Sequence, residues 1–150
     1  MTRRVAGCLI VAFLLLNAIA PSRAAEPTPV GDWRTFDDHT GEERSVIRIV
    51  ERNGALFGTI VSSPDPKAAS DICKKCEDDR KGKPIIGLEI IRDMRRDGDV
   101  WTGGRILDPE DGGLYKATIR VEDFGNKLVL HGYIGIPLFG RTQTWIRTKP

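Results

Sequence analysis

Turn-forming residues interrupt this chain about every ten residues, the spacing of a sandwich or barrel of short strands. Asn53-Gly54 is the strongest hairpin signal, because both residues tolerate the left-handed backbone that a tight hairpin turn demands. Asp97-Gly98, the stretch from Asp108 to Gly113, Asp123-Phe124-Gly125-Asn126 and the stretch from Gly135 to Gly140 are further breaks. Between them lie runs rich in β-branched and aromatic side chains. They predict strands at 31–36, 44–51, 55–63, 84–94, 100–107, 114–122, 127–134 and 141–148. The run Ile85–Ile91 has a period that would also suit a helix, but Gly87 and the β-branched residues favour a strand. Gly103-Gly104 falls inside a strand and predicts a bulge, a sharp bend or the close approach of another backbone.

The expected fold is all-β: an eight-stranded antiparallel up-and-down barrel. Closure removes the exposed edges that an open sheet must manage. A curved open sheet or a small sandwich is the runner-up. Strands that alternate in direction place their connections at alternate ends. The short turns at 53–54, 97–98 and 123–126 then share one end. The 36–44 connection, the long 64–83 connection and the 108–113 and 135–140 turns gather at the other. One barrel domain is expected over 30–148, preceded by a flexible stretch at 25–29.

The first residues set the compartment. Arg3 and Arg4 precede an apolar run from Val5 to Ala20, Pro21 breaks it, and Ser22-Arg23-Ala24 offers a small-residue cleavage site. This is the pattern of a cleavable signal peptide over 1–24, and the run is too short to remain as a membrane span. Val5-Ala6-Gly7-Cys8 imitates a lipoprotein box, but Cys8 opens the apolar run instead of closing it. The chain has 23 Lys+Arg against 21 Asp+Glu. Residues 1–24 hold Arg3, Arg4 and Arg23 and no acid, so the remainder carries 20 basic and 21 acidic side chains, net −1. No surplus of positive charge is left for nucleic acid or for an anionic membrane. Export to the periplasm or to the medium is expected.

Cys73 and Cys76 remain in that oxidising setting. Their C-x-x-C spacing admits a redox dithiol or half of a zinc site. No βαβ unit and no second pair of ligands accompany it, so a small structural disulfide is the expected state. No metal and no cofactor is expected. On the seventh strand Leu128 and Leu130 should face inward, which puts His131 and Tyr133 outside. Arg48, Arg105 and Lys116 could reach an interior anion, but solvated strand faces are the commoner home for such residues. No nucleophile–base set and no phosphate-cradling glycine loop is legible, so no catalytic residue is assigned. Trp33 follows Gly31-Asp32 on the first strand, and Arg147 lies near the end of the last. In a closed meander these strands are neighbours, so Arg147 can stack on Trp33 as a barrel-closing pair. Lipocalin-like barrels close one end with a similar G-x-W tryptophan and a late basic residue.

Two longer motifs complete the pattern. Trp101-Thr102-Gly103-Gly104-Arg105-Ile106 is followed by Asp108-Pro109, Gly112 and Tyr115. Gly132-Tyr133-Ile134-Gly135-Ile136-Pro137-Leu138-Phe139-Gly140-Arg141-Thr142-Gln143-Thr144-Trp145 forms the second. With Gly31-Asp32-Trp33 they resemble the exported bacterial family catalogued as domain of unknown function 2147. The resemblance implies a secreted or periplasmic, lipocalin-like barrel and carries no catalytic assignment. Trp101, Arg105, Tyr115, Tyr133, Phe139 and Arg141 are the ligand-contact candidates. The expected function is binding of a small apolar molecule at the rim that carries the motif loops. The alternative is a filled barrel acting through contacts with envelope proteins.

Overall fold

The structure, a computed structural model, describes residues 26–149; the expected signal peptide and Cys8 lie outside the described residues. Its strands are β1 (Gly31–Phe36), β2 (Glu43–Arg52), β3 (Ala55–Ser62), β4 (Glu89–Asp97), β5 (Val100–Thr102), β6 (Arg105–Leu107), β7 (Leu114–Glu122), β8 (Lys127–Tyr133) and β9 (Gly140–Arg147). Apart from β5 and β6, strands adjacent in the chain pair antiparallel, and β1 pairs with β9. The sheet therefore closes on itself. β5 and β6 both lie between β4 and β7, so nine segments occupy eight positions of the barrel. Among the described residues no helix is long and apolar enough to cross a membrane.

The break between β5 and β6 falls at Gly103-Gly104, inside what the sequence predicts as one strand. Gly103 has φ +79°, and a Cβ on Gly104 would run into the backbone of Arg92 and Met94 on β4. Asp93, facing this point, also has positive φ, at 59°. Two neighbouring strands are thus kinked together at a barrel corner, which only glycine allows on the β5–β6 side. The fourth strand also starts later than its apolar run suggests. Pro84 makes an isolated bridge to Ile72, and Gly87 turns at φ +92°. Residues 84–88 thus belong to the long connection, and Leu88 plugs the core from there.

Side-chain alternation fills the interior with Ile47 and Ile49 of β2, Ala117 and Ile119 of β7, and Leu128 and Leu130 of β8, and the kink at Asp93 brings both Ile91 and Met94 of β4 into the same core. At one end the interior is shut by Trp33, which is wholly buried and donates its indole N–H to Pro29 O at 2.7 Å. Trp33 lies directly across from Arg147 in the β1–β9 pairing, and the guanidinium sits 4.1 Å from the ring centroid. Arg147 donates to Gly125 O at 2.5 Å, Val30 O at 2.9 Å and Thr28 O at 2.7 Å. Burial pushes its pKa down from the ordinary value, yet three carbonyls and an indole face hold the charge with no carboxylate among the described residues paired to it. Gly31 has φ +132°, and a Cβ there would lie 2.5 Å from an Arg147 guanidinium nitrogen. The glycine of the G-x-W triplet therefore makes room for the arginine.

At the opposite end the 36–44, 64–83, 108–113 and 134–139 connections meet. Arg44 pairs with Asp37 at 2.8 Å and with Glu110. Arg141 pairs with Asp38. Ser63 Oγ donates to Arg44 O at 2.7 Å, and Gly112 packs against the backbone of Lys75 with no room for a side chain. The long connection is anchored by two buried features. Cys73 and Cys76 form a disulfide with both sulfurs out of contact with water. Arg80, only 2% exposed, forks onto Asp78 and donates to Glu89 O at 3.0 Å. The Arg80 guanidinium holds the Asp78 carboxyl below its usual range.

Gly31→Ala is expected to cost about 1–3 kcal/mol, from a disfavoured φ and displacement of Arg147. Arg147→Met, which keeps the stem but abandons three carbonyls, is expected to cost about 2–4 kcal/mol. Urea unfolding of the two variants tests both, and an unchanged midpoint in either would remove the closing role assigned here. Cys73→Ala/Cys76→Ala closes no long loop, so its expected cost is about 2 kcal/mol or less. Its main effect is expected in amide exchange, with faster exchange confined to residues 71–83.

Candidate functional site

The interior is not filled at the rim end. A cavity of about 500 Å3 opens between the four connections, a size suited to a small organic ligand. Its floor and walls are Ile47, Ile60, Ile90, Leu107, Leu130 and Trp145, all buried residues of the strands. Its mouth is polar and carries Arg44, Asp108, Glu110, Asp111, Tyr115 and Arg141. Beside the mouth a second groove, of about 680 Å3, runs between the 36–44 connection and the cysteine loop, lined mainly by charged and polar residues.

Four of the candidates read from the sequence line the cavity: Tyr115, Tyr133, Phe139 and Arg141. Tyr115 and Arg141 belong to the inward-facing sets of β7 and β9. Tyr133 contributes only at the lip. Its ring stacks on His131 on the outer face, with centroids 5.8 Å apart. Phe139 is 71% exposed at the edge of the opening. Trp101 and Arg105 do not line the cavity. Trp101 packs against the core from β5, opposite Arg96 and Ile119 and towards the Trp33 end. Arg105 follows the Gly103-Gly104 break and is exposed, opposite Lys116. The kink resets the alternation of this strand, so residues on either side of it cannot be placed by counting through it. The disulfide leaves no free thiolate for zinc, and the burial of both sulfurs keeps them from a partner thiol.

Three polar features of the cavity escape a reading by motif. Thr35 and Ser45, paired across β1 and β2, share a hydrogen bond of 2.8 Å between hydroxyls in the wall. Gln143 lies two residues before Trp145 and so on the same inward face. Trp145 Nε1 donates to Gln143 Oε1 at 3.2 Å. An indole N–H can only donate, so the amide oxygen must face it. The Gln143 NH2 group is turned away and has no protein acceptor among the described residues, which leaves two donors for the contents of the cavity. Counting inward from Trp145 would have found this residue.

Asp108 is the third. It sits at the mouth with no arginine among the described residues in hydrogen-bond contact, and its Oδ1 accepts the Glu110 N–H at 2.9 Å. Burial, reinforced by the negative charge of Asp111, raises its pKa above the usual carboxylate range. Asp111 accepts the Tyr115 hydroxyl at 2.6 Å, and that bond is the main reason the phenol is pushed up to about 12. The tyrosine is thus held as a neutral donor, with its ring against Gly113, where a Cβ would lie 2.5 Å from the phenol oxygen.

A closed eight-position antiparallel barrel, shut by a tryptophan–arginine pair and hollow at the opposite rim, is lipocalin-like. The solved structure of protein HP1028 from the human pathogen Helicobacter pylori, described as belonging to the lipocalin family, is similar to it. The TM-score is 0.69 at 20% identity over 85% of each chain. The family model described as an uncharacterized protein conserved in bacteria (DUF2147) matches residues 31–147, and the chain belongs to that family. Comparison with curated proteins returns no match.

The Asp108 shift has a definite sign. Its folded pKa lies above the unfolded value, so its stabilising contribution is complete below the ordinary carboxylate range and is lost as pH rises through the folded pKa. Asp108→Asn is therefore expected to raise the Tm at neutral pH and to leave it unchanged near pH 3. A fall in Tm at neutral pH would contradict this. The Tyr115 phenol is expected to titrate near 12, and Asp111→Asn to bring it down towards 10, read by ultraviolet absorbance.

Proposed function

We propose that this protein is an exported ligand-binding barrel that takes a small, largely apolar molecule through the rim opening. The observation that carries the reading is the 500 Å3 cavity, apolar in its depth and polar at its mouth. A filled barrel acting only through its outer surface would have no use for such a space, because an unfilled apolar cavity costs stability. The free donors of Gln143 and the Thr35–Ser45 hydroxyl pair call for a ligand with a hydrogen-bond acceptor, such as a carbonyl, along an otherwise apolar body. The mouth adds little net attraction for an anionic head, since Arg44 and Arg141 are already paired with acids. Export is supported by the basic, apolar and small-residue pattern of residues 1–24 and by the buried Cys73–Cys76 disulfide, which needs an oxidising compartment.

Native mass spectrometry of protein recovered from an exporting host tests both halves. The expected mass begins at residue 25 and includes a co-purified small molecule. An intact N-terminus would overturn export. Binding is tested further with a fluorescent acyl probe. Ile106→Trp adds bulk from a half-buried wall position into the cavity. It is expected to abolish probe binding while Tm stays level or rises. An empty cavity in repeated preparations, with no thermal shift across a broad panel of apolar ligands, would overturn the binding reading.

A further inference from the structure

The loop 134–139 between β8 and β9 is an apolar surface facing water. Ile134, Ile136, Leu138 and Phe139 are 69%, 55%, 80% and 71% exposed. From Gly132 to Gly140 the chain has no charged residue. The loop is also built. His131 Nε2 is 2.7 Å from Pro137 O, which can only accept, so the ring donates there. The Phe139 N–H donates to Ile136 O at 3.2 Å. A held loop that turns four large apolar side chains outward is a surface awaiting an apolar partner.

The outer face just behind this tip names the partner. Strand register sets Arg105 of β6 opposite Lys116 of β7, and Lys116 opposite Tyr133, the last residue of β8 before the loop. Both cations are exposed, and neither joins an ion pair among the described residues. Like charges directly across a sheet repel. The arginines at the neighbouring rim, Arg44 and Arg141, each have a carboxylate; this pair has no anion. An apolar tip, an aromatic residue beside it and two unpaired cations one step back match the layers of a bilayer interface, acyl chains first and then headgroup phosphates.

We propose that this rim docks on a phospholipid bilayer. Ile136, Leu138 and Phe139 enter the acyl boundary, and Arg105 and Lys116 meet headgroup phosphates. Ile134 and Phe139 also line the cavity, so docking sets its mouth against the membrane. The proposal goes beyond ligand binding and stands without it, because docking needs only the outer surface.

The test is flotation of the host-processed protein with vesicles of phosphatidylcholine, with and without phosphatidylglycerol. Wild type is expected to float with both and more with the anionic vesicles. Ile136→Ser/Leu138→Ser is expected to lower partitioning about tenfold or more on both. Arg105→Gln/Lys116→Gln is expected to remove only the salt-sensitive gain from phosphatidylglycerol. None of these four residues lines the cavity, so binding of a soluble probe is expected to be unchanged, which keeps a failure of docking distinct from a failure of ligand binding. The proposal is overturned if wild type does not float or if the double serine variant floats as well as wild type. It is also overturned if light scattering shows a dimer that the serine variant dissolves, which would make the loop a contact between copies. An unaltered response to phosphatidylglycerol in the glutamine variant would overturn the headgroup contacts.

Discussion

The seating of Arg147 on Trp33 is the contact on which the architecture turns. It lies where the first and last strands meet, so it joins the two ends of the meander and shuts one end of the barrel in the same stroke. The guanidinium gathers carbonyls from two separate segments, Thr28 and Val30 in the lead-in to β1 and Gly125 in the 123–126 turn. A single side chain thus ties the entry strand and the 123–126 turn to the last strand. Because this end is sealed by an aromatic ring and a saturated cation, the cavity opens at the other rim.

That asymmetry organises the remaining polar chemistry. At the closed end a cation is held with no carboxylate among the described residues. At the open end Arg44 and Arg141 each pair with acids, whereas Asp108 has no cationic partner among the described residues and is partly desolvated. Between them the cavity wall carries a few fixed hydrogen-bonding groups. The indole of Trp145 sets the orientation of the Gln143 amide, and the Tyr115 phenol is fixed by Asp111. The long connection contributes rigidity through the disulfide and buried Arg80. A 26-residue connection (63–88) of this composition would otherwise be expected to move.

Much of the fold was legible because strand signals are local. Hairpin turns such as Asn53-Gly54, both residues left-handed in the structure, announce themselves over a few residues. Parity then assigns every turn to an end, which places the four unusual connections at one rim without any knowledge of packing. Where local signals conflict with tertiary demands, counting fails. Pro84–Leu88 is apolar and β-branched, yet it serves as a core plug outside the sheet. The kink at Gly103-Gly104 breaks the alternation that would have placed Trp101 and Arg105 together. The candidate site was half legible for the same reason: Tyr115 and Arg141 follow regular alternation, whereas Asp108 reads as a mere turn former until its burial is seen.

Alternation, turn chemistry and the Gly31–Trp33 and Arg147 ends are properties of neighbours in the chain, and the sequence by itself determined from them a closed meander with one distinctive rim. The hollow at that rim was decided only by tertiary structure, since whether inward side chains meet or leave space depends on barrel radius and the summed volume of many strands. The same holds for charge. Net −1 over residues 25–150 conceals a pair of cations with no counter-ion among the described residues, Arg105 and Lys116, that strand register brings face to face beneath an uncharged apolar loop. Composition sums charges along the chain, whereas fields and interfaces depend on which of them the fold places side by side.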